Sequence, residues 1–302
     1  MPRKEPLRGK AMTTIANSDT DEFLKLPGFA QLETEFDREH RIFWCHMNPL
    51  ARACFSKELL QELGSLGHLL SERAKKAECA PFSYFVLASR LPGIFNLGGD
   101  LSLFRQLVIG RDHAGLRRYA YECIELQWQN HTHLDLPDVT TIALVQGEAL
   151  GGGFEAALFA NVLIAERGAR MGLPEILFNL FPGMGAFSIL SRKLDPARAE
   201  RMILSGRLYC AEELFDMGVV DVLAEPGSGR EAVLDYVVRE NRTRNGIQAI
   251  RAVRAVTNPI TLAELREIAD VWTEAALRLS ARDLRMMERL VARQTALRKS
   301  AA

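Results

Sequence analysis

Two glycine-rich turns stand where backbone N–H groups could bind an oxygen anion. The turns are Leu-Gly-Gly-Asp at 97–100 and Leu-Gly-Gly-Gly at 150–153, and each follows an apolar stretch and precedes a helical pattern. N–H groups at the start of a helix have no intrahelical partner, and glycine lets a ligand oxygen approach the backbone closely. Gly99 and Gly152 are therefore candidate donors to one carbonyl oxygen. Such a donor typically contributes about 3 to 4 kcal/mol to transition-state stabilisation.

Two glutamates stand beside these turns. Glu155 lies just inside the helix that the triple glycine begins, and Glu175 follows the next strand, with Pro174 before it. Two carboxyl groups facing an apolar cavity can hold different protonation states, one as acid and one as base. A β-elimination requires such a pair. Taken alone, each turn is typical of a tight loop, and each glutamate is typical of a surface charge at the start of a helix. Their combination favours a catalytic site.

The elements that must position these residues alternate along the chain. The sequence predicts strands at 41–47, 82–88, 141–146 and 162–165, and helices at 56–77, 100–133 and 154–160, with Ser56 as an N-cap. Strands that alternate with helices indicate an α/β fold with parallel strands. We predict a flexible tail at 1–25, a core at 26–227 and a helical region at 228–302 for trimerisation or as a lid.

Composition narrows the functional class. Lysine plus arginine and aspartate plus glutamate number 38 each in 302 residues, which gives no overall attraction to nucleic acid or to an anionic membrane. The five cysteines are scattered, and neither a signal peptide nor a membrane span is visible, so the sequence predicts a cytoplasmic protein. No carboxylate or cysteine stands at ligand spacing from His131 and His133, so no metal site is predicted.

Three segments carry a resemblance to a known family. The segments Phe-Asn-Leu-Gly-Gly-Asp at 95–100, 149–158 (ALGGGFEAAL) and 171–186 (MGLPEILFNLFPGMGA) resemble the crotonase (enoyl-CoA hydratase/isomerase) superfamily over roughly residues 40–225. Within it, 48–56 (NPLARACFS) and 268–279 (IADVWTEAALRL) are most similar to the diffusible-signal-factor synthases of Gram-negative bacteria. The resemblance implies a crotonase-type ββα spiral core with a C-terminal helical domain. It also implies that Glu155 and Glu175 are catalytic, that Gly99 and Gly152 are the oxyanion donors, and that no cofactor is needed.

The resemblance further implies a reaction and its partners. Diffusible-signal-factor synthases dehydrate a 3-hydroxyacyl thioester and hydrolyse the product to a free cis-2-enoic acid. The uncharged segment 92–95 (PGIF) and the segment 186–189 (AFSI) depart from relatives that use CoA, and this favours an acyl carrier protein over acyl-CoA as the partner. A homotrimer or hexamer and a signalling receptor are also implied.

Further residues are assigned to binding. An acidic carrier protein would require basic residues, and the candidates are Arg111, Arg117, Arg118, Arg192, Lys193, Arg198 and Arg201. An ordinary solvated helix face explains them equally well. Candidate substrate-binding residues are Leu150, Gly151, Met171, Gly172, Leu173 and Trp272, with core packing as the alternative for each.

Two other functions stay open. An ordinary enoyl-CoA hydratase would leave the thioester intact. A non-catalytic scaffold of the same fold is disfavoured by the presence of both glutamates, and RNA binding by the neutral net charge.

Overall fold

Two mixed sheets form the framework of the protein in the computed structural model, which describes residues 22–77 and 79–289. The strands are β1 (Leu32–Asp37), β2 (Ile42–Met47), β3 (Tyr84–Ser89), β4 (Ile94–Asn96), β5 (Thr140–Val145), β6 (Glu148–Leu150), β7 (Val162–Glu166), β8 (Arg170–Gly172), β9 (Leu208–Cys210) and β10 (Val222–Ala224). Six of them form a large sheet in the order β1-β2-β3-β5-β7-β10, and four form a small sheet in the order β4-β6-β8-β9. The edge strands β1 and β9 run antiparallel to their neighbours, and the other pairs of these strands are parallel.

Helices connect the strands and cover the sheets. They are α1 (Lys57–Lys76), α2 (Leu101–Ile109), α3 (His113–His131), α4 (Gly152–Leu158), α5 (Ala186–Lys193), α6 (Pro196–Ser205), α7 (Ala211–Asp216), α8 (Gly229–Arg242), α9 (Arg244–Thr257) and α10 (Leu262–Ala276). Short 3-10 turns lie at His133–Asp135 and Pro174–Phe178.

The chain alternates between the two sheets. Strands β3, β5 and β7 enter the large sheet, and each is followed at once by a strand of the small sheet, β4, β6 or β8. After β4 and β6 a helical segment returns the chain to the large sheet, and after β8 the chain passes through β9 of the small sheet before it reaches β10. This repeat is the ββα spiral that the resemblance implies, and the predicted α/β fold class is confirmed.

The core explains why the strands are so apolar. Every residue of β5 and β7 is buried, as expected for parallel strands that are covered on both faces. On one face, Val233 and Val237 of α8 belong to a buried cluster that includes Leu144 of β5 and Ile164 of β7. The larger part of the core lies between the sheets and the other helices.

The C-terminal helices are anchored by side chains rather than by strands. Arg117 of α3 forms an ion pair with Asp270 of α10, at 2.7 Å, and the rings of Phe104 and Trp272 lie 5.0 Å apart. Helix α10 is therefore held against α2 and α3. The predicted helical region is confirmed as far as residue 289, and residues 290–302 lie outside the described residues.

Three sequence predictions need correction. The helix expected over 100–133 is two helices, because the chain turns at Arg111, whose φ of +50° is uncommon for a non-glycine residue, and Asp112 caps α3 by accepting the Gly115 N–H. Strand β1 lies in a segment where the sequence predicts no strand. The predicted tail ends before residue 25, because Phe23 is buried and packs against Phe82, with ring centroids 6.2 Å apart; the prediction for 1–21 lies outside the described residues.

Candidate active site

Three neighbouring strands of the small sheet bring the candidate site together. Strand β4 pairs in parallel with β6, and β6 pairs in parallel with β8. The carboxyl ends of parallel neighbours lie at the same edge of a sheet, where ligands bind in α/β proteins. The two glycine turns follow β4 and β6, and the segment that carries Glu175 follows β8. Segments far apart in the sequence therefore meet at one edge.

The first glycine turn is fixed by hydrogen bonds on both sides. The N–H of Gly98 donates to Oδ1 of Asn96 at 2.8 Å, and its carbonyl accepts the N–H of Phe55 at 2.8 Å. A Cβ at Gly98 would lie 2.8 Å from the carbonyl oxygen of Leu150 and 3.2 Å from the nitrogen of Gly152. Glycine is required here because the two turns approach each other through their backbones.

The second turn places its backbone beside a glutamate. Gly151 has φ +52° and ψ −126°, a conformation that side-chain-bearing residues avoid, and its N–H donates to the Gly172 carbonyl at 2.9 Å. A Cβ at Gly151 would stand only 2.4 Å from Oε1 of Glu175. The missing side chain therefore makes room for the Glu175 carboxyl group.

Glu155 is buried, and backbone donors orient its carboxyl group. Its Oε1 accepts the N–H of Met184 at 2.9 Å and that of Ala186 at 3.0 Å, and the residue is 1% exposed. Burial raises the pKa of Glu155 above the ordinary glutamate value of about 4.3, although the two N–H donors act in the opposite direction. Glu155 can therefore hold a proton at neutral pH.

Glu175 lies in the 3-10 turn after β8 and faces the same space. Its Oε2 is buried and has no hydrogen-bond partner within the described ranges. Burial, and secondly the charge of Glu155, raise the pKa of Glu175. Because like charges in a dry site resist simultaneous ionisation, the pair favours a state with one proton.

One cavity joins these residues. Its wall contains both glutamates together with Gly99 and Gly152, and the rest is mainly apolar, including Phe55, Phe104, Leu126, Phe178, Leu180 and Trp272. A second cavity shares Gly99, Leu101, Gly152, Glu175 and Phe178 and continues past Leu97, Leu150 and Pro174. The arrangement can hold a chain-like ligand whose polar centre lies between the glutamates and the glycine turns.

Comparison with known proteins agrees with this geometry. Residues 47–269 match the family described as Enoyl-CoA hydratase/isomerase. The chain belongs to this family. The match spans about three quarters of the sequence and includes both glycine turns, both glutamates and α10 except its last turns.

Relatives of the enoyl-CoA hydratase/isomerase family differ in how much they share with this chain. A probable mitochondrial enoyl-CoA hydratase 2 of Arabidopsis thaliana is 27% identical over 236 residues, which cover 76% of this chain and 70% of that protein. The fatty acid oxidation complex subunit alpha of Pseudomonas syringae pv. tomato is 38% identical over 101 residues, covering 33% of this chain and only 14% of that protein.

Solved structures of similar fold include an enoyl-CoA hydratase from Bacillus halodurans. Its TM-score is 0.70 at 21% identity, with 87% of this chain and 100% of that chain covered. Pseudomonas aeruginosa DspI gives a TM-score of 0.59 at 23% identity, with 90% and 99% covered. At these identities the likenesses show the fold.

The substrate-binding residues predicted from the sequence of this family member fall into two groups. Trp272 lines the main cavity, and Leu150 and Gly151 line the second. Met171 and Leu173 are instead buried in the main hydrophobic core. Gly172 pairs with Leu150 across the small sheet and supports the turn rather than a cavity wall.

Several residues that shape the candidate site are missing from the sequence prediction. Oη of Tyr119 accepts the N–H of Asp100 at 2.8 Å and donates to the Phe55 carbonyl at 3.0 Å, which ties the first glycine turn to the preceding segment. The amides of Met184 and Ala186 hold Glu155. Backbone donors have no side-chain signature, and Tyr119 is like any aromatic residue on a buried helix face.

Two kinds of feature are absent from residues 22–77 and 79–289. These residues contain no group of three histidine, cysteine, aspartate or glutamate side chains arranged to bind a metal ion. None of their helices is long and apolar enough to cross a membrane.

The raised pKa values of Glu155 and Glu175 predict that high pH destabilises the fold. In the unfolded chain both groups titrate near pH 4.3, so the folded state binds their protons more tightly. The resulting stabilisation is complete below about pH 4 and is lost as pH rises through the raised pKa values of the folded state. Each tenfold difference in proton affinity between the two states corresponds to about 1.4 kcal/mol. The Glu155→Gln/Glu175→Gln double variant has neither carboxyl group, so its stability should not fall in this way as pH rises.

Thermal unfolding of the wild type and the double variant measures this effect. We expect the stability advantage of the double variant to grow steadily from about pH 5 to about pH 9. An advantage that stays constant across this range would show that the two carboxyl groups do not titrate abnormally.

Proposed function

We propose that the protein dehydrates a 3-hydroxyacyl thioester and then hydrolyses the thioester, releasing a cis-2-enoic acid of the diffusible-signal-factor type. The observation that carries this proposal is the meeting of Glu155, Glu175, Gly99 and Gly152 in the wall of one largely apolar cavity. An acid, a base and backbone amides beside an apolar wall are what an elimination next to a thioester carbonyl requires.

In the first step the thioester oxygen lies against the backbone amides of Gly99 and Gly152. Their dipoles stabilise the negative charge that develops on this oxygen when the α-proton leaves. Glu175 takes that proton, and the electron pair of the C2–H bond forms the C2=C3 double bond. The C3–O bond breaks, and Glu155 gives its proton to the departing hydroxyl group, which leaves as water.

The raised pKa values of the two glutamates suit a pair that shares one proton. One carboxyl group must be ionised and the other protonated before the reaction starts, and repulsion between them favours that state. After the elimination Glu175 holds the proton and Glu155 is ionised. The assignment of Glu175 to C2 and of Glu155 to C3 follows the family resemblance.

In the second step a water molecule attacks the thioester carbonyl carbon. One of the glutamates takes a proton from the water, and the same amides hold the tetrahedral oxyanion. The carbon–sulfur bond then breaks, and the thiol of the carrier leaves with a proton. The products are a free 2-enoic acid and the unloaded carrier.

The two cavities are consistent with a substrate in which the acyl thioester is attached to a pantetheine arm. The acyl chain would occupy the main cavity beside Trp272, and the arm would leave through the second cavity past Leu97 and Pro174. Acyl carrier protein and CoA both end in this arm. We propose the carrier protein because the uncharged segment 92–95 and the segment 186–189 depart from relatives that use CoA.

Ion pairs reduce the set of basic residues available for such a carrier. Carboxylate partners hold four of the seven candidates, in the pairs Arg117–Asp270, Arg192–Glu264, Lys193–Asp221 and Arg198–Asp195. The pairs to Asp270 and Glu264 fix α10 on the core and favour the structural alternative for their arginines. Arg111, Arg118 and Arg201 are exposed and form no carboxylate pair with the described residues.

An ordinary enoyl-CoA hydratase is the second candidate, and the family match favours it. It uses the same two glutamates but leaves the thioester intact. Trimeric assembly and contact with a signalling receptor stay predictions.

Mass spectrometry of the products separates the two candidates. The protein is incubated with 3-hydroxydodecanoyl groups on acyl carrier protein and, separately, on CoA. We expect free dodecenoic acid, formed faster from the carrier protein. Dodecenoyl thioester without free acid would contradict the hydrolytic step and support the hydratase, and conversion of neither substrate would contradict both.

A further inference from the structure

A buried amide in the wall of the main cavity has no partner among the described residues. Gln127, on α3, is 3% exposed and lines the cavity together with Glu155. Its side chain forms no hydrogen bond with any described residue, whereas the amide of Asn130 on the same helix donates to the Ala156 carbonyl at 3.2 Å. Its amide atoms are not among the fully buried unpartnered atoms of the described residues, so they border the open space of a cavity. Packing alone does not explain why glutamine rather than leucine occupies this position.

The packing of α3 against α4 places this amide close to Glu155. Residues one turn apart lie on the same face of a helix. Cys123, one turn before Gln127, lines the same cavity, and the Glu155 charge adds to burial in raising the pKa of its thiol. Asn130, one turn after Gln127, is bonded to Ala156, the neighbour of Glu155. Gln127 therefore lies between Cys123, whose pKa the Glu155 charge affects, and Asn130, which is bonded to the neighbour of Glu155.

An amide offers one acceptor and two donors, so it suits a group that can both donate and accept. A hydroxyl group and a water molecule are such groups. In the proposed function the thioester oxygen is assigned to the glycine amides and the C2 proton to Glu175. The oxygen on C3, which Glu155 protonates, is the remaining polar part of the reacting centre.

We infer that Gln127 binds the oxygen on C3 of the acyl chain, as a substrate-binding residue that selects 3-hydroxyacyl over saturated acyl groups. The inference rests on the proposed function. It applies to the hydroxyl group that leaves in dehydration and equally to the water that adds in hydration, because both occupy the same place. A site that binds a substrate hydroxyl through buried polar groups discriminates against the analogue without it.

The Gln127→Leu substitution tests this inference, and Gln129→Leu is the matched control. Gln129 lies on the same helix, and its buried Oε1 also has no partner among the described residues. It lines a smaller cavity, with Leu63 and Leu134, but it does not border the main one. Both changes are made in a Glu175→Gln background, so that the ligand is not consumed. Calorimetry then measures binding of the 3-hydroxydodecanoyl and dodecanoyl thioesters of pantetheine.

We expect the Glu175→Gln protein to prefer the hydroxylated ligand about tenfold, the effect of one such hydrogen bond. Adding Gln127→Leu should abolish the preference. Adding Gln129→Leu should keep the preference. An unchanged preference in the Gln127→Leu protein overturns the inference and leaves the proposed function standing, whereas failure of the Glu175→Gln protein to bind either thioester overturns the proposed function and the inference with it.

Discussion

The Glu175→Gln variant is expected to turn over a 3-hydroxyacyl thioester at least about 10²-fold more slowly than the wild type. Glutamine keeps the shape of the side chain but cannot take the proton from C2. The folded protein should accept this glutamine, because the buried Oε2 of Glu175 has no hydrogen-bond partner to lose among the described residues. Glu155→Gln should cause a loss of the same order, since its amide can still accept the N–H groups of Met184 and Ala186 but cannot protonate the departing hydroxyl.

Initial rates with saturating substrate measure this loss, and far-UV circular dichroism checks that each variant is folded. Glu200→Gln, which changes an exposed carboxyl group of α6, is the matched control and should keep the wild-type rate. Near-normal rates in both the Glu155 and the Glu175 variants would remove these glutamates from the mechanism.

A single methyl group at position 151 is expected to reduce kcat/KM by about 10²-fold, since displacements of about 1 Å at a reacting group have effects of this size. The Cβ of Gly151→Ala would stand 2.4 Å from Oε1 of Glu175, so the carboxyl group must move. The backbone conformation of Gly151, φ +52° and ψ −126°, adds strain of about 1–3 kcal/mol to the folded state of the variant.

The control for this substitution separates displacement from strain. Gly168 also has positive φ, +81°, but a Cβ there would meet nothing within 4 Å. Gly168→Ala should therefore lower the melting temperature and leave kcat/KM near the wild-type value. Equal activity losses in the two alanine variants would mean that general destabilisation, rather than the position of Glu175, accounts for the effect.

The chemistry of the site is easier to predict from the sequence than its walls. Glu155, Glu175 and the two glycine turns stand out because each follows an apolar strand, and parallel strands bring such positions to one edge. Met171 and Leu173 are near Glu175 in the sequence, which favours them as wall residues. Their side chains enter the core instead. The sequence does not reveal this, because the faces of a short strand cannot be assigned without its neighbours.

Other features leave too little local signal for prediction. Strand β1 is mostly exposed, so it lacks the apolar alternation that marks a half-buried strand. The break between α2 and α3 lies at the left-handed Arg111, in the short segment 110–113 (GRDH) between two stretches of helical spacing. Gln127 has the sequence surroundings of a surface residue on a long helix, and only the packing of α3 against α4 shows that it faces the cavity.

Proton exchange between Glu175 and C2 of an acyl thioester held beside Gly99 and Gly152 is the step on which the proposed function depends. Deuterium incorporation tests it most directly. A 2-enoyl thioester is incubated with the protein in D₂O, and the 3-hydroxyacyl product is analysed by nuclear magnetic resonance. We expect one deuterium at C2 with the wild type and almost none with Glu175→Gln over the same time. Incorporation at C2 that proceeds as fast in the Glu175→Gln variant as in the wild type would contradict this role for Glu175.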